Sequence, residues 1–449
     1  MISGRDPQGG IDWRDGRAYR YISKEAWPFF QATLSLQEKL AQRGVWLPLT
    51  LPPAAEDEAT YLFEVPVLPL VLYPYEWPFP LWREAALTTL TIQKEALLEG
   101  FWLRDATPFN LTLYQGKMCH FDQLSLEPYL EGLPWAAYME FVRAFLALLL
   151  LMSFRDRRLG KLIQLYPEGL PLDLVWSLLP LRGRWSGLGL LHLYPHKLRR
   201  LASGQSRPVK IPKQRLLALV ESLIVGVEGL KPRYPASPWE GYATESCPYP
   251  PEAREKKEAT VQAWIERLSI RWGLDIGAHE GGYTRLLALR AREGVVALEN
   301  DPLAIDRLWE RLGPQHKHLY PIWADISQPS PPLGMGNVLP GLLERLKGRF
   351  DVSLALAITH HLRYRNLIPY AIQIELLAQL LAPAGHLIIE YIPIDDPQIK
   401  FLHSRPAIFP DHSQEAFEGL LGRFFVVREQ VVLAPMGRVL YLAQKRQTL

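Results

Sequence analysis

Cysteine is almost missing from this sequence: Cys119 and Cys247 are the only two in 449 residues. That excludes a disulfide framework and a four-cysteine metal site, and it suits a reducing compartment, so a cytoplasmic location is expected. Long apolar runs are also missing. The longest, Ala144-Phe-Leu-Ala-Leu-Leu-Leu-Leu-Met152, falls well short of the roughly 20 residues that span a bilayer and reads as a buried helix. The first residues, Met1-Ile-Ser-Gly-Arg-Asp-Pro7, contain no apolar core of a signal peptide. Excess charge is absent too. A formal net charge of +3 is too mild to demand nucleic acid or an anionic membrane as partner. What remains is ordinary globular material, 48% hydrophobic and 22% charged, stiffened by 39 prolines. At this length two domains are expected.

The most informative stretch is Leu274-Asp-Ile-Gly-Ala-His-Glu-Gly-Gly-Tyr-Thr-Arg285, followed by Val295-Val-Ala-Leu-Glu-Asn-Asp-Pro302. It reads as a strand, a Gly-rich turn, a helix and a second strand ending in an acid, the first βαβ half of a nucleotide-type sheet. Gly277 and Gly281 permit a tight turn and close approach of a ligand to the main chain. Glu299, ending the second strand, is placed to accept from both hydroxyls of a ribose. A dinucleotide turn wants G-x-G-x-x-G, but here His279 stands where the middle glycine would be. Asp275 before the first glycine would repel a pyrophosphate and attract the ammonium group of a methionine moiety.

Asp275-x-Gly277-x-x-x-Gly281, Glu299 and the later Ala324-Asp325 resemble the motifs of class I S-adenosylmethionine-dependent methyltransferases, over roughly the last 190 residues, an extent within the usual size of one domain. The resemblance implies an α/β domain with a Rossmann-like seven-stranded sheet and S-adenosyl-L-methionine as cofactor. The cofactor set it implies is Asp275, Gly277, His279, Gly281, Tyr283, Glu299, Asn300, Asp325, Ile326 and Ala357, with Asp325 toward the adenine amino group and the Ile326 backbone beside the ring. Phe350-Asp-Val-Ser-Leu-Ala-Leu-Ala357 is a continuous apolar strand suited to the sheet centre. It runs into Ile358-Thr-His-His-Leu362 at the edge where such sheets bind ligands, so His360 and His361 are candidates for proton removal or acceptor positioning. Glu390, from His386-Leu-Ile-Ile-Glu-Tyr-Ile392, is the third candidate, its structural alternative being a partner for a basic group such as Arg405. The Asn-Pro-Pro-Tyr motif of base-methylating enzymes is absent, so nucleic acid is not the expected acceptor.

In the first half, Arg17–Ile22 and Leu62–Val65 read as strands around a helix Trp27–Arg43, and Leu68–Tyr73 as a buried strand. A helix from Arg83 to Glu99 stops at Gly100. Leu103-Arg-Asp-Ala-Thr-Pro-Phe-Asn110 and His120-Phe-Asp122 resemble the catalytic loop and metal-binding strand of the protein-kinase and aminoglycoside-phosphotransferase superfamily: Asp105, Asn110 and Asp122 keep that spacing. The resemblance implies a kinase-like α+β domain rich in helices, with ATP and Mg²⁺ as its ligands. Departures point to a degenerate site. Leu103 replaces the usual His, Gln123-Leu124 replaces Phe-Gly, and no Gly-rich loop or strand-borne lysine is assignable upstream. The alternative is a plain hairpin in which Asp105 caps a turn and Asn110 and Asp122 bond loops.

Seven Lys or Arg residues between Lys197 and Arg215 read as a solvated loop, without an aromatic residue to stack on bases. The expected domains are therefore residues 1–231, a Pro-rich aromatic linker or lid at 232–252, and a methyltransferase domain at 253–449. The expected function is methyl transfer to a small-molecule or glycan hydroxyl or amine, with the first half assisting substrate binding. The alternatives are a bifunctional kinase-methyltransferase acting on a sugar or glycan terminus, and a first half that binds a partner without chemistry. No metal ligands are expected in the second half, and the oligomeric state is left open.

Overall fold

Alternation along Arg17–Ser23 buries Ala18, Arg20 and Ile22 on one face, the two-residue period of a strand packed on one side. This strand belongs to the first of two units into which the chain divides, Met1–Pro235 and Ala236–Leu449. The computed structural model describes residues 8–55, 60–194, 210–234, 249–402 and 408–447. Most of the expected linker, with Trp239 and Tyr242, lies outside the described residues, as do Arg405, Cys247 and the basic stretch from Lys197 to Val209.

In the first unit, β1 (Gly9–Arg14), β2 (Arg17–Ser23), β3 (Thr50–Ala55) and β4 (Thr60–Val65) form an antiparallel sheet in the order β1-β2-β4-β3. Between β2 and β3 runs the helix Trp27–Gln42, whose Phe30 packs with Ile22, Phe63 and Leu124. The helix Phe79–Glu99 follows and ends at Gly100, whose φ of 87° a residue with a Cβ would resist. Two short ladders come next: β5 (Phe101–Leu103) with β8 (Leu126–Pro128), and β6 (Leu111–Tyr114) with β7 (Lys117–His120). The apolar run from Ala144 sits in the core, where Ala147–Met152 are all buried on a helix.

Leu68–Tyr73 is not a strand. Pro66, Pro69 and Pro74 remove the amide donors a ladder needs. The segment is buried through Leu70 and Leu72 nonetheless, and the Leu72 amide is satisfied by Thr112 Oγ1 at 3.0 Å.

The second unit is built on one mixed sheet of seven strands: β9 (Trp272–Ile276), β10 (Gly294–Glu299), β11 (Leu319–Trp323), β12 (Phe350–Ala355), β13 (Leu381–Tyr391), β14 (Phe425–Leu433) and β15 (Arg438–Lys445). The order is β11-β10-β9-β12-β13-β15-β14. The first five are mutually parallel, and β15 inserts antiparallel between β13 and β14. From β9 the chain builds to one side through β10 and β11, then crosses to β12 on the other. Reversal at β9 leaves a crevice beyond the carboxyl ends of the strands, the place where open α/β sheets take ligands. The apolar β12 is fourth of the seven and buried along nearly its whole length. Helix Pro251–Arg267 precedes β9, and Pro302 starts the helix after β10 with Asp301 capping it through the amides of Leu303 and Ala304.

Candidate functional site: a cleft at the reversal of the sheet

The turn after β9 is shaped by residues in the left-handed region: Gly277 at φ 73°, His279 at 49° and Gly281 at 82°. Amides of Gly277 and Ala278 both donate to the Leu298 carbonyl, at 2.9 and 3.1 Å, tying the turn to β10. Glu299 then receives two backbone amides, His279 on Oε2 at 2.8 Å and Asp301 on Oε1 at 2.7 Å. Burial raises the Glu299 carboxyl above its ordinary range, opposed by these same two amides, which favour the charged form.

A cavity of about 270 Å³ opens in front of this turn. Its walls include Gly277, His279, Glu299, Asn300, Asp325, Ile326 and Ala357, with Leu298, Leu356 and Leu362 adding apolar surface. Asp325 is fixed by Ser327, whose amide and hydroxyl donate to Oδ1 at 2.8 and 2.6 Å, and by Asn300 Nδ2 at 3.2 Å from Oδ2. Two carboxylates set among aliphatic walls suit a nucleoside, which offers hydroxyl and amino donors on a flat apolar body.

Three of the expected cofactor residues stand outside this wall. Asp275 is buried, accepts from Thr284 Oγ1 at 2.7 Å, and is raised to about 6 by burial. Gly281 makes room for Leu308 and Leu312, which an added Cβ would meet at 2.9 and 2.8 Å. Tyr283 faces the Lys257 ammonium 5.7 Å from its ring centre.

His361 lines the cleft, while His360 is buried beside it with the ring centres 4.1 Å apart. Both are neutral at pH 7. Burial, then the charges of Arg365 and Arg438, take His361 down to about 4, and burial with His361 and nearby cations holds His360 well below the usual range. Glu390 does not face the cleft. Fully buried, it takes Lys257 Nζ on Oε2 and the Tyr249 hydroxyl on Oε1, each at 2.7 Å. Lys257 was legible as an oddity: it falls on the apolar face Ala253, Lys257, Val261, Trp264 of its helix.

In the first unit, Asp105, Asn110 and Asp122 come together. Asn110 Nδ2 donates to Asp105 Oδ1 at 3.1 Å, and Ser125 Oγ donates to Asp122 Oδ2 at 3.3 Å. Burial, with Asp122 nearby, pushes Asp105 up to about 7. Burial would raise Asp122 as well, but Arg20 and His120 outweigh it and hold that carboxyl low. Arg20 Nη2 donates to Asp122 Oδ1 at 2.9 Å and Nε to Gln123 Oε1 at 3.0 Å. No strand-borne lysine was expected there, yet the place of Arg20 between Ala18 and Ile22 on the inward face of β2 is readable from the two-residue period. Among the described residues no cluster of three or more His, Cys, Asp or Glu is arranged to hold a metal ion.

Set beside solved structures, the chain is similar to S-adenosylmethionine-dependent methyltransferases. The N-methyltransferase NodS from Bradyrhizobium japonicum WM9 is 16% identical with a TM-score of 0.33, the match covering 43% of this chain and 97% of NodS. A methyltransferase from Mesorhizobium loti is 14% identical with a TM-score of 0.30, over 42% of this chain and 96% of its own. Along nearly its whole length the chain is similar to the nodulation protein NoeA of Rhizobium meliloti (strain 1021), at 29% identity over 462 aligned positions, 99% of this chain and 95% of that protein. No family model matches.

Proposed function

We propose that the second unit transfers a methyl group from S-adenosyl-L-methionine to a hydroxyl or amine of a small molecule or glycan. The observation that carries this reading is that Gly277, Glu299 and Asp325 share the wall of one cleft at the reversal of a mostly parallel sheet. Glu299 keeps lone pairs for the ribose hydroxyls beyond the two amides it already accepts. Asp325 and Ile326 serve the adenine end, and Gly277, His279 and Ala357 the methionine end. The cofactor supplies an electrophilic methyl group. The protein's part is to align the acceptor with it, exclude water and take the proton. His361, at the cleft wall, is the residue to orient the acceptor; its low pKa, about 4, makes the ring a weak base, which favours positioning over proton removal. His360 backs that ring.

Isothermal titration calorimetry with S-adenosylhomocysteine tests the reading. Saturable binding that Glu299→Ala weakens at least tenfold supports it, and no binding at millimolar ligand overturns it.

A second reading concerns the first unit, and the cluster of Asp105, Asn110 and Asp122 favours it. Carboxylate and amide oxygens are what Mg²⁺ takes, so this unit would bind Mg²⁺–ATP and act on the same acceptor, or, lacking turnover, assist its binding. Mg²⁺-dependent ATP binding lost in Asp122→Ala supports it. Absence of any nucleotide binding leaves a module for a substrate or partner.

A further inference from the structure

The loop between β12 and the helix Thr359–Tyr364 is short and strained. Ala357 has φ 51°, the left-handed region that a residue with a Cβ enters at a cost. Leu356, Ala357 and Ile358 all line the cleft, so the shape of this loop is part of the shape of the site. What holds it is Glu390. The Ala357 amide donates to Glu390 Oε2 at 2.9 Å, and Thr359 Oγ1 donates to the Glu390 carbonyl, also at 2.9 Å. Side chain and main chain of one residue on β13 thus pin both ends of the turn.

A carboxylate taken fully out of water needs a compensating cation beside it. Lys257 is that cation. Its ammonium, buried on the helix ahead of the sheet, lies 2.7 Å from the oxygen that takes the Ala357 amide, and it also donates to the Tyr249 hydroxyl at 2.8 Å. Tyr249 closes the triangle on the other carboxylate oxygen, and the Arg438 guanidinium stacks 4.4 Å from its ring centre.

We propose that Lys257 is a positioning residue: by anchoring the Glu390 side chain, it holds Ala357 in its left-handed conformation and so sets the wall of the cleft against which cofactor and acceptor meet. This rests on the methyltransferase reading for its consequence, but not for its structural content. Among the described residues Lys257 is the cation in hydrogen-bond contact with the Glu390 carboxylate, and the Arg438 charge acts on it from farther off.

The test has two readouts on the full chain. Amide hydrogen exchange of unliganded protein is expected to show Ala357 exchanging at least tenfold faster in Lys257→Met than in the wild type, while β9 amides keep their protection. Tyr249→Phe, a milder change that leaves the ion pair, is expected to show a smaller increase and serves if Lys257→Met does not fold. S-adenosylhomocysteine affinity is expected to fall at least tenfold in Lys257→Met at a temperature where the variant is folded, and to recover at least threefold when Ala357→Gly is added, because glycine removes the cost of the left-handed angle. General destabilisation would not be relieved by that glycine. Unchanged exchange at Ala357 in the folded variants overturns the proposal. Faster exchange with no ligand binding by the wild type leaves the positioning role standing and sinks the cofactor reading instead.

Discussion

Glu299 and His279 are joined through the main chain: the His279 amide donates to Glu299 Oε2 at 2.8 Å, from a residue held at φ 49°. One carboxylate therefore shapes the turn and faces the cleft. Removing it does two kinds of damage. Glu299→Ala is expected to weaken S-adenosylhomocysteine binding by about 1.5–3 kcal/mol, the usual worth of a hydrogen bond to a charged group, or roughly 10- to 150-fold. Glu299→Gln, which keeps one acceptor oxygen but offers an NH₂ to the other amide, is expected to lose nearly as much. Calorimetry on both variants decides. An alanine variant that binds as well as the wild type would mean that Glu299 serves the turn alone.

Asp105 carries a pH dependence with a definite sign. Its folded value, about 7, stands well above the ordinary aspartate range because burial and Asp122 disfavour the charge. The folded protein therefore holds a proton there that the unfolded chain releases. Stability from this group is present at low pH and is lost as pH rises from about 4 through about 7. Asp105→Asn removes the titration, so the melting temperature of the variant relative to wild type is expected to rise across that window and level off above it. A difference that stays flat from pH 5 to pH 8 would mean that Asp105 titrates normally.

Much of this site could be read from the sequence, and the parts that could not share a cause. Gly277, Glu299 and Asp325 were legible because backbone demands and strand ends leave a local signature: a glycine where φ is positive, an acid where a strand stops. The seven-stranded sheet was an expectation of the resemblance, and the continuous apolar run over residues 350–357 marked the strand now at its centre. For Lys257 and Arg20 the odd placement was legible but the role was not, because their partners Glu390 and Asp122 lie 133 and 102 residues away along the chain. A charged residue on an apolar face shows that a partner must exist, without showing where. Leu68–Tyr73 failed differently. Its apolar run satisfied the pattern of a buried strand, but the flanking prolines decided against a ladder.

The Arg20–Asp122 pair offers a measure of what such a distant contact contributes. Their side chains are 7% and 21% exposed, so the pair is largely out of water. Arg20→Met leaves Asp122 buried without its cation, and removing one partner of a buried pair typically costs about 3–5 kcal/mol. The remaining opening to solvent around Asp122 argues for the lower end. A loss of about 3 kcal/mol would lower the melting temperature of a unit this size by roughly 6–12 °C. Asp122→Asn in the same background is expected to restore part of it, since the uncompensated charge is then gone. If Arg20→Met melts within 2 °C of wild type, by an estimate on the same scale, the pair is not a structural one.

Gly277 permits the sharpest separation of folding from binding. Its φ of 73° disfavours any residue with a Cβ, and an added Cβ would come within 2.7 Å of Ile358 Cδ1. That atom is the far end of a flexible side chain, so the clash is relieved by rotating Ile358, which itself lines the cleft. The expected cost of Gly277→Ala in stability is therefore modest, about 1–2 kcal/mol from the backbone angle. The expected cost in binding is larger, because the relief pushes an isobutyl-sized group into the space a ligand would use. A variant that melts within a few degrees of wild type, by the same scale, yet no longer binds S-adenosylhomocysteine would fit this geometry. Binding that survives alongside the strain would place the ligand away from Gly277, and the reading of the cleft as a cofactor site would fall with it.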